Sequence, residues 1–230
     1  IAAFVVIFLF AIDSVMIERS ANFHPYMTDV AVSVGLMLLF KKLNQNNFSV
    51  KHVLLTILSG IVAILLSLPS IFMLMGLSVA LIINLFIQKS ITKAIVMFNI
   101  ALCWILSFGM YYFGYIKVFC DNEEFPEGGY LKTFYDIPQI FREIFINDPL
   151  HFKYWFIPAF FMLLGLMYSC FYARRKFLFL VLPVFFTILA SLRGKYPFWG
   201  RLIIFLTPIF IIYIAYGVYF FVRLFKSKFP

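Results

Sequence analysis

Long apolar runs, separated by short charged or turn-forming stretches, are the main pattern along the chain. A helix needs about 20 apolar residues to cross the roughly 30 Å hydrocarbon core of a bilayer, so the pattern predicts an all-α polytopic transmembrane protein. A long polar loop, 117–153, follows the fifth run. We expect one transmembrane domain over 1–230 with about eight spans, at about 1–17, 27–40, 53–68, 70–87, 94–116, 154–172, 177–192 and 202–222.

Composition supports this class. Hydrophobic residues make up 64% of the chain and charged residues 13%, and the mean hydropathy is +0.99, whereas soluble domains carry about 25% charged residues. A soluble globule is excluded because it needs more polar surface, and a disordered chain because it would be poor in apolar residues. The chain begins at Ile1, inside an apolar run without the features of a signal peptide. We therefore expect a fragment that lacks earlier spans.

Basic residues indicate the orientation of the spans. The loops on one side of the predicted bundle hold eleven of the nineteen Lys and Arg residues and none of the ten acidic residues. Because Lys and Arg determine orientation and acidic residues contribute little, this side is predicted to be cytoplasmic. Much of the net charge of +9 then comes from a collar of basic residues at the cytoplasmic membrane surface. It gives no reason to expect a nucleic-acid partner. The collar consists of Lys41, Lys42, Lys51, Lys89, Lys93, Arg174, Arg175, Lys176, Arg223, Lys226 and Lys228.

The first candidate site is the short outward loop that leads into the second span. It contains Glu18, His24, Tyr26 and Asp29 within twelve residues. Tyr26 and Asp29 are three positions apart and so share a helix face. The structural alternative is that the helix dipole favours Asp29 near a helix N-terminus and that His24 is an interfacial residue without function.

The second candidate site is the last outward loop, 191–201, which contains three basic residues and no acidic one. This runs against the positive-inside bias, and an anionic ligand would explain the exception. Arg193, Lys195 and Arg201 offer phosphate donors, with Tyr196 between them, and Gly194 would let the backbone approach a ligand. The alternative is that these cations extend to lipid headgroups.

Other chemistry is sparse. The long polar loop 117–153 contains acidic residues that could hold a cation or sugar hydroxyls, or the loop could act as a lid without catalytic residues. Its spacing matches no calcium loop, and the three cysteines match no metal-binding motif. We identify no cofactor and no metal ligands from the sequence, and use of a divalent cation is possible. Ionisable residues are nearly absent within the spans, which disfavours an ion-coupled transporter.

Three segments resemble motifs of bacterial multi-span glycosyltransferases of the GT-C superfamily. These enzymes depend on polyprenyl-phosphate sugars and include relatives of protein mannosyltransferases and of the aminoarabinose transferase of lipid A. The segments are Glu18–Val30, Ser67–Phe72 and Tyr196–Leu202, and their order along the chain is the same as in the family. Here Thr28 replaces part of a stretch that usually contains Ser.

The resemblance implies a hexosyl- or pentosyltransferase in the inner membrane of a bacterium, with its active face toward the periplasm. The sugar would pass, with inversion, from a polyprenyl phosphate to a glycan, lipid or protein acceptor. Arg193, Lys195 and Arg201 would stabilise the leaving phosphate, while Glu18, His24, Tyr26 and Asp29 would position substrate. The family's catalytic acid lies in an earlier loop, so the catalytic residue is expected upstream of Ile1. An O-antigen-type polymerase or ligase, or a lipid or solute transporter, is the alternative.

Overall fold

The computed structural model describes residues 25–45, 49–117, 156–196 and 200–228. Within these ranges every regular element is helical, as the apolar pattern predicts, and none is a strand. A π-helical turn, Tyr112–Ile116, extends the fourth helix, and a 3₁₀ helix, Gly200–Leu206, leads directly into the last one. The α-helices are α1 Pro25–Gln45, α2 Val50–Leu66, α3 Ser70–Ile87, α4 Ile91–Tyr111, α5 Phe156–Tyr172, α6 Arg174–Leu192 and α7 Thr207–Lys228.

Four of the described segments are long and apolar enough to cross a membrane, which supports membrane association: Ser70–Ile87, Ile91–Tyr115, Arg174–Leu192 and Leu202–Leu224. Helices α2 and α5 are apolar but have only 17 residues each, about 25 Å at 1.5 Å per residue. The predicted span 1–17 and nearly all of the loop 117–153 lie outside the described residues. The total of eight spans therefore stays a prediction.

Helices α3 and α7 lie at the centre of the bundle. Helix α3 contacts α1, α2, α4 and α6, and α7 contacts α1 and α5. The buried residues of α1 recur every three or four positions, which places one face of this helix against the core. That face consists of Val30, Ser33, Leu36, Phe40 and Leu43. In contrast, α2 and α4 leave many large apolar side chains exposed, as expected for surfaces in contact with lipid.

Glycine allows the closest helix crossings. A Cβ atom on Gly165 of α5 would overlap the carbonyl oxygen of Tyr213 in α7, and one on Gly217 of α7 would overlap the carbonyl oxygen of Phe161. A Cβ atom on Gly76 of α3 would overlap the backbone of Pro183 in α6. Small residues at such crossings let two backbones approach closely, which is how helices commonly pack in membranes.

Short turns join α2 to α3, α3 to α4 and α5 to α6. Helices joined by so few residues run in opposite directions, so successive turns alternate between the two ends of the bundle. The turn 67–69 lies at one end, called here the outer end. The turns at 88–90 and at Ala173 lie at the other, together with exposed Lys89 and Arg174 of the basic collar.

Candidate functional site

The three segments that carry the family resemblance meet at the outer end, as far as the structure describes them. Helix α1 packs along the 3₁₀ helix and against α3, and Val30 of α1 contacts Ile204. Phe72 of α3 lies 4.8 Å from Tyr196 and 6.2 Å from Phe205, measured between ring centroids. Residues about 40 and 170 positions apart along the chain are thus brought to one place.

Asp29 is half-buried on α1, and its carboxyl group faces the side chain of Ser67 in the turn between α2 and α3. It lies beyond the first turn of α1, which contains no acidic residue. Because the effect of a helix dipole falls off within the first turn, the dipole is a weak explanation for a carboxylate at this position. Its contact with the Ser67 side chain is the better explanation.

Four buried hydroxyl groups in this region make no hydrogen bond of normal geometry: those of Ser33, Ser70 and Thr207, and that of Ser67, which faces the Asp29 carboxyl. These residues are between 0 and 3% exposed. Ser33 shares a face of α1 with Asp29, Ser67 and Ser70 bound the outer turn, and Thr207 lies one turn after Ile204. We call Asp29, Ser33, Ser67, Ser70 and Thr207 the polar cluster. A buried hydroxyl without a partner costs about 1–3 kcal/mol, so four of them need an explanation.

Buried Ser and Thr hydroxyl groups elsewhere in the described chain are satisfied, whereas the Tyr213 hydroxyl and the Asn84 Oδ1 are buried without a partner. Thr56 donates to the His52 carbonyl at 2.7 Å, and Thr187 donates to the Pro183 carbonyl at 2.8 Å. Ser78 and Ser169 also donate to carbonyls within their own helices, which is the usual arrangement for Ser and Thr inside helices. Ser33 has the Asp29 carbonyl one turn before it yet makes no such bond. Among the residues that the structure describes, buried Ser and Thr hydroxyls without a partner are therefore confined to the polar cluster.

The first part of the last outward loop, Arg193 to Lys195, ends α6. Gly194 has φ +62°, its N–H donates to the Ser191 carbonyl at 2.8 Å, and the N–H of Lys195 donates to the Ala190 carbonyl at 2.9 Å. This is a Schellman motif, which ends a helix at a left-handed glycine. Gly194 thus ends the helix, and the approach of its backbone to a ligand stays a prediction. Arg193 and Lys195 are exposed beside the negative end of the α6 dipole.

Tyr196 fastens this loop to the bundle. Its hydroxyl donates to the Leu202 carbonyl at 2.6 Å, while its ring meets the edge of Phe72. The structure thereby holds the residue after Lys195 against α3, and no described contact joins Arg193 or Lys195 to Asp29. Arg201 is the second residue of the 3₁₀ helix, but its side chain, like that of Tyr26, lies outside the described residues, as do Glu18 and His24.

The sequence indicated Asp29 but missed the four hydroxyls, because single Ser and Thr residues in apolar runs look like ordinary packing residues. Only the Ser67–Ser70 turn gave a signal. The described residues contain no group of three or more His, Cys, Asp and Glu that could hold a metal ion. Comparisons with protein-family models, with curated proteins and with solved structures find no match.

Proposed function

We propose that the chain is part of an integral membrane glycosyltransferase of the GT-C type. It would move a sugar, with inversion, from a polyprenyl-phosphate donor to a glycan, lipid or protein acceptor at the periplasmic side of a bacterial inner membrane. No described residue is assigned as the catalytic base. The observation that carries the proposal is the meeting of the three motif-bearing segments at one end of the bundle.

The distribution of charge at the outer end suits a lipid-phosphate donor. Arg193 and Lys195 lie exposed on one side of Tyr196, where they can neutralise a phosphate as negative charge develops on it. Asp29 lies in the polar cluster, where a phosphate would be repelled. A donor with an anionic phosphate and a neutral sugar would match these two regions in that order.

Two other classes would use some of the same features. A polymerase or ligase of lipid-linked glycans would also need cations at the outer end to bind an isoprenoid phosphate. A lipid or solute transporter would need a passage through the bundle, yet the centre of the bundle is filled by buried apolar residues such as Leu77, Leu81 and Phe210.

The test measures binding of undecaprenyl phosphate to the purified full-length protein in nanodiscs. The double variant Arg193→Gln, Lys195→Gln and the single variant Arg201→Gln should each weaken binding roughly 10- to 100-fold, since a hydrogen bond to a charged group contributes about 1.5–3 kcal/mol. The matched control, Arg174→Gln with Arg175→Gln, removes two exposed cations from the opposite end and should change binding less than about 3-fold. Equal losses at both ends would indicate nonspecific attraction and contradict the proposal.

A further inference from the structure

We propose that the polar cluster binds the hydroxyl groups of a sugar ring. This inference rests on the proposed function and deepens it, because it separates a sugar-binding region from the phosphate-binding cations. The main observation is the contrast between the satisfied hydroxyls of Thr56, Ser78 and Thr187 and the unsatisfied hydroxyls around Asp29. Such a contrast among the buried Ser and Thr hydroxyls marks a place in the apolar bundle where a polar partner is needed.

The cluster is built from three separate elements in mutual contact. Helix α1 supplies Asp29 and Ser33, the outer turn supplies Ser67 and Ser70, and the junction of the 3₁₀ helix with α7 supplies Thr207. Groups spread over three elements do not need to converge on a single point. They suit a ligand that itself carries several polar groups around a small ring, such as a pentose or hexose.

The chemistry of the cluster favours sugar hydroxyls over other ligands. A phosphate would be repelled by the Asp29 carboxylate. A metal cation would bind the oxygen lone pairs of Ser33, Ser67, Ser70 and Thr207 but would leave their four O–H hydrogens without acceptors. A sugar hydroxyl both donates and accepts hydrogen bonds, as a Ser or Thr hydroxyl does. A sugar can therefore accept from the O–H groups of the cluster and donate to their oxygen atoms, while Asp29 accepts one or two further hydrogen bonds.

Aromatic rings lie next to the cluster. Phe72 follows Ser70 by two residues, Phe205 precedes Thr207 by two, and the two rings are stacked with an interplanar angle of 27°. Phe72 is also in contact with Tyr196 and is partly exposed, as Tyr196 is. Apolar ring surface beside hydroxyl groups matches a sugar, which has an apolar C–H face and polar edges. Tyr196 therefore links the two proposed regions, since it follows Lys195 in the sequence and its ring contacts Phe72.

The experiment compares two lipids on the full-length protein in nanodiscs: undecaprenyl phosphate and the same lipid carrying one sugar, with glucose, galactose, N-acetylglucosamine and arabinose as probes. At least one sugar-bearing lipid should bind the native protein 10-fold or more tightly than the bare lipid. Ser70→Ala and Thr207→Val should each reduce that preference about 5-fold or more and leave binding of the bare lipid unchanged. These variants remove an unsatisfied buried group, so their thermal unfolding midpoints should not fall.

The matched controls are Ser78→Ala and Thr187→Val, which remove buried hydroxyls bonded within their own helices and should leave the sugar preference intact. If free methyl glucoside competes with the sugar-bearing lipid and the cluster variants weaken only this competition, the bound sugar belongs to the acceptor. If the variants weaken only binding of the sugar-bearing lipid, the bound sugar belongs to the donor. The inference is wrong if no attached or free sugar changes binding, or if the control variants lower the preference equally. If the native protein does not bind bare undecaprenyl phosphate, the proposed function itself is wrong.

Discussion

At the residue scale, two left-handed helix caps differ only in the side chain that occupies them. Gly194 ends α6 with φ +62°, and Lys89 ends α3 with φ 57°. Both follow the same hydrogen-bond pattern, since Lys89 N–H donates to the Phe86 carbonyl and Ser90 N–H to the Leu85 carbonyl, each at 2.9 Å. A side chain in this conformation is strained because its Cβ approaches the following carbonyl oxygen. Lys89 belongs to the basic collar, so its charge offers a reason for the strain.

Lys89→Gly should raise the free energy of unfolding by about 0.5–1 kcal/mol, since glycine adopts the left-handed conformation without a Cβ penalty. Thermal unfolding in detergent micelles measures the effect. Lys89→Ala is the control, because it removes the charge and keeps the Cβ, and it should bring no gain. Gly194→Ala at the other cap should lower stability by a similar amount. If Lys89→Gly and Lys89→Ala behaved alike, the strain argument would be wrong.

At the element scale, the crossing of α5 and α7 depends on the absence of two side chains. Gly165→Ala and Gly217→Ala should each destabilise the protein by about 1–3 kcal/mol, because the added methyl group meets backbone carbonyl oxygens that cannot move aside. Gly109→Ala in α4 is the control, because nothing lies within 4 Å of its added Cβ. It should be neutral or stabilising by up to about 1 kcal/mol, since alanine favours helix. Thermal unfolding of the three variants side by side decides the matter.

A destabilised Gly109→Ala, or neutral variants at both Gly165 and Gly217, would contradict the close crossing. The aromatic contacts around it add a second check, because Phe161 lies 5.6 Å from Phe221 and Tyr168 lies 5.4 Å from Phe220 between ring centroids. If the methyl group of an alanine at 165 forces α5 and α7 apart, these ring pairs separate as well. A change in the near-ultraviolet circular dichroism should therefore accompany the loss of stability.

The boundaries of the elements show what apolar patterning predicts. Helix α3 runs over the predicted 70–87 to the residue, because Pro69 and the polar Gln88 mark its ends. Helix α6 begins at Arg174 and not at the predicted 177, because Arg and Lys side chains at a helix end can extend to the interface while their backbone stays helical. Excluding charged residues from the span therefore made the predicted helix too short.

The last predicted span, 202–222, is correct in position but begins differently. Its first part is the 3₁₀ helix Gly200–Leu206, and α7 starts at Thr207. Hydropathy cannot distinguish these two helix types. Pro208 supplies a physical reason, since it has no N–H to donate and its ring would clash with the carbonyl of Ile204 in a continuous α-helix. The tighter helix ends at the point where the proline fixes the start of the α-helix.

At the scale of the whole molecule, the sequence predicted the helical class and the segments of interest, but it could not show that they meet. Asp29 and Ser67 face each other across 38 residues of sequence, and Phe72 and Phe205 across 133. Such contacts depend on how the helices pack, which no local pattern encodes. The unsatisfied hydroxyls can be identified only from the three-dimensional structure, which shows which buried donors have a hydrogen-bond partner and which do not.

The orientation of the bundle is the property on which every proposal at the outer end depends. Arg193 and Arg174 are both exposed and lie at the two ends of α6. In a chain whose cysteines are replaced, a single Arg193→Cys should react with a membrane-impermeant maleimide in intact bacterial spheroplasts. A single Arg174→Cys should react only after permeabilisation, because basic loops are retained in the cytoplasm.

Maleimide labelling of each cysteine is measured before and after permeabilisation, so that the labelling after permeabilisation serves as the control for that position. The reverse pattern would place Arg193, Lys195 and the polar cluster in the cytoplasm, where nucleotide-activated sugars are the usual donors, and the proposed periplasmic use of a polyprenyl-phosphate sugar would have to be abandoned. The unfolding predictions for Lys89 and Gly165 would survive that result, because they follow from local geometry alone. Orientation thus decides the function without affecting the fold.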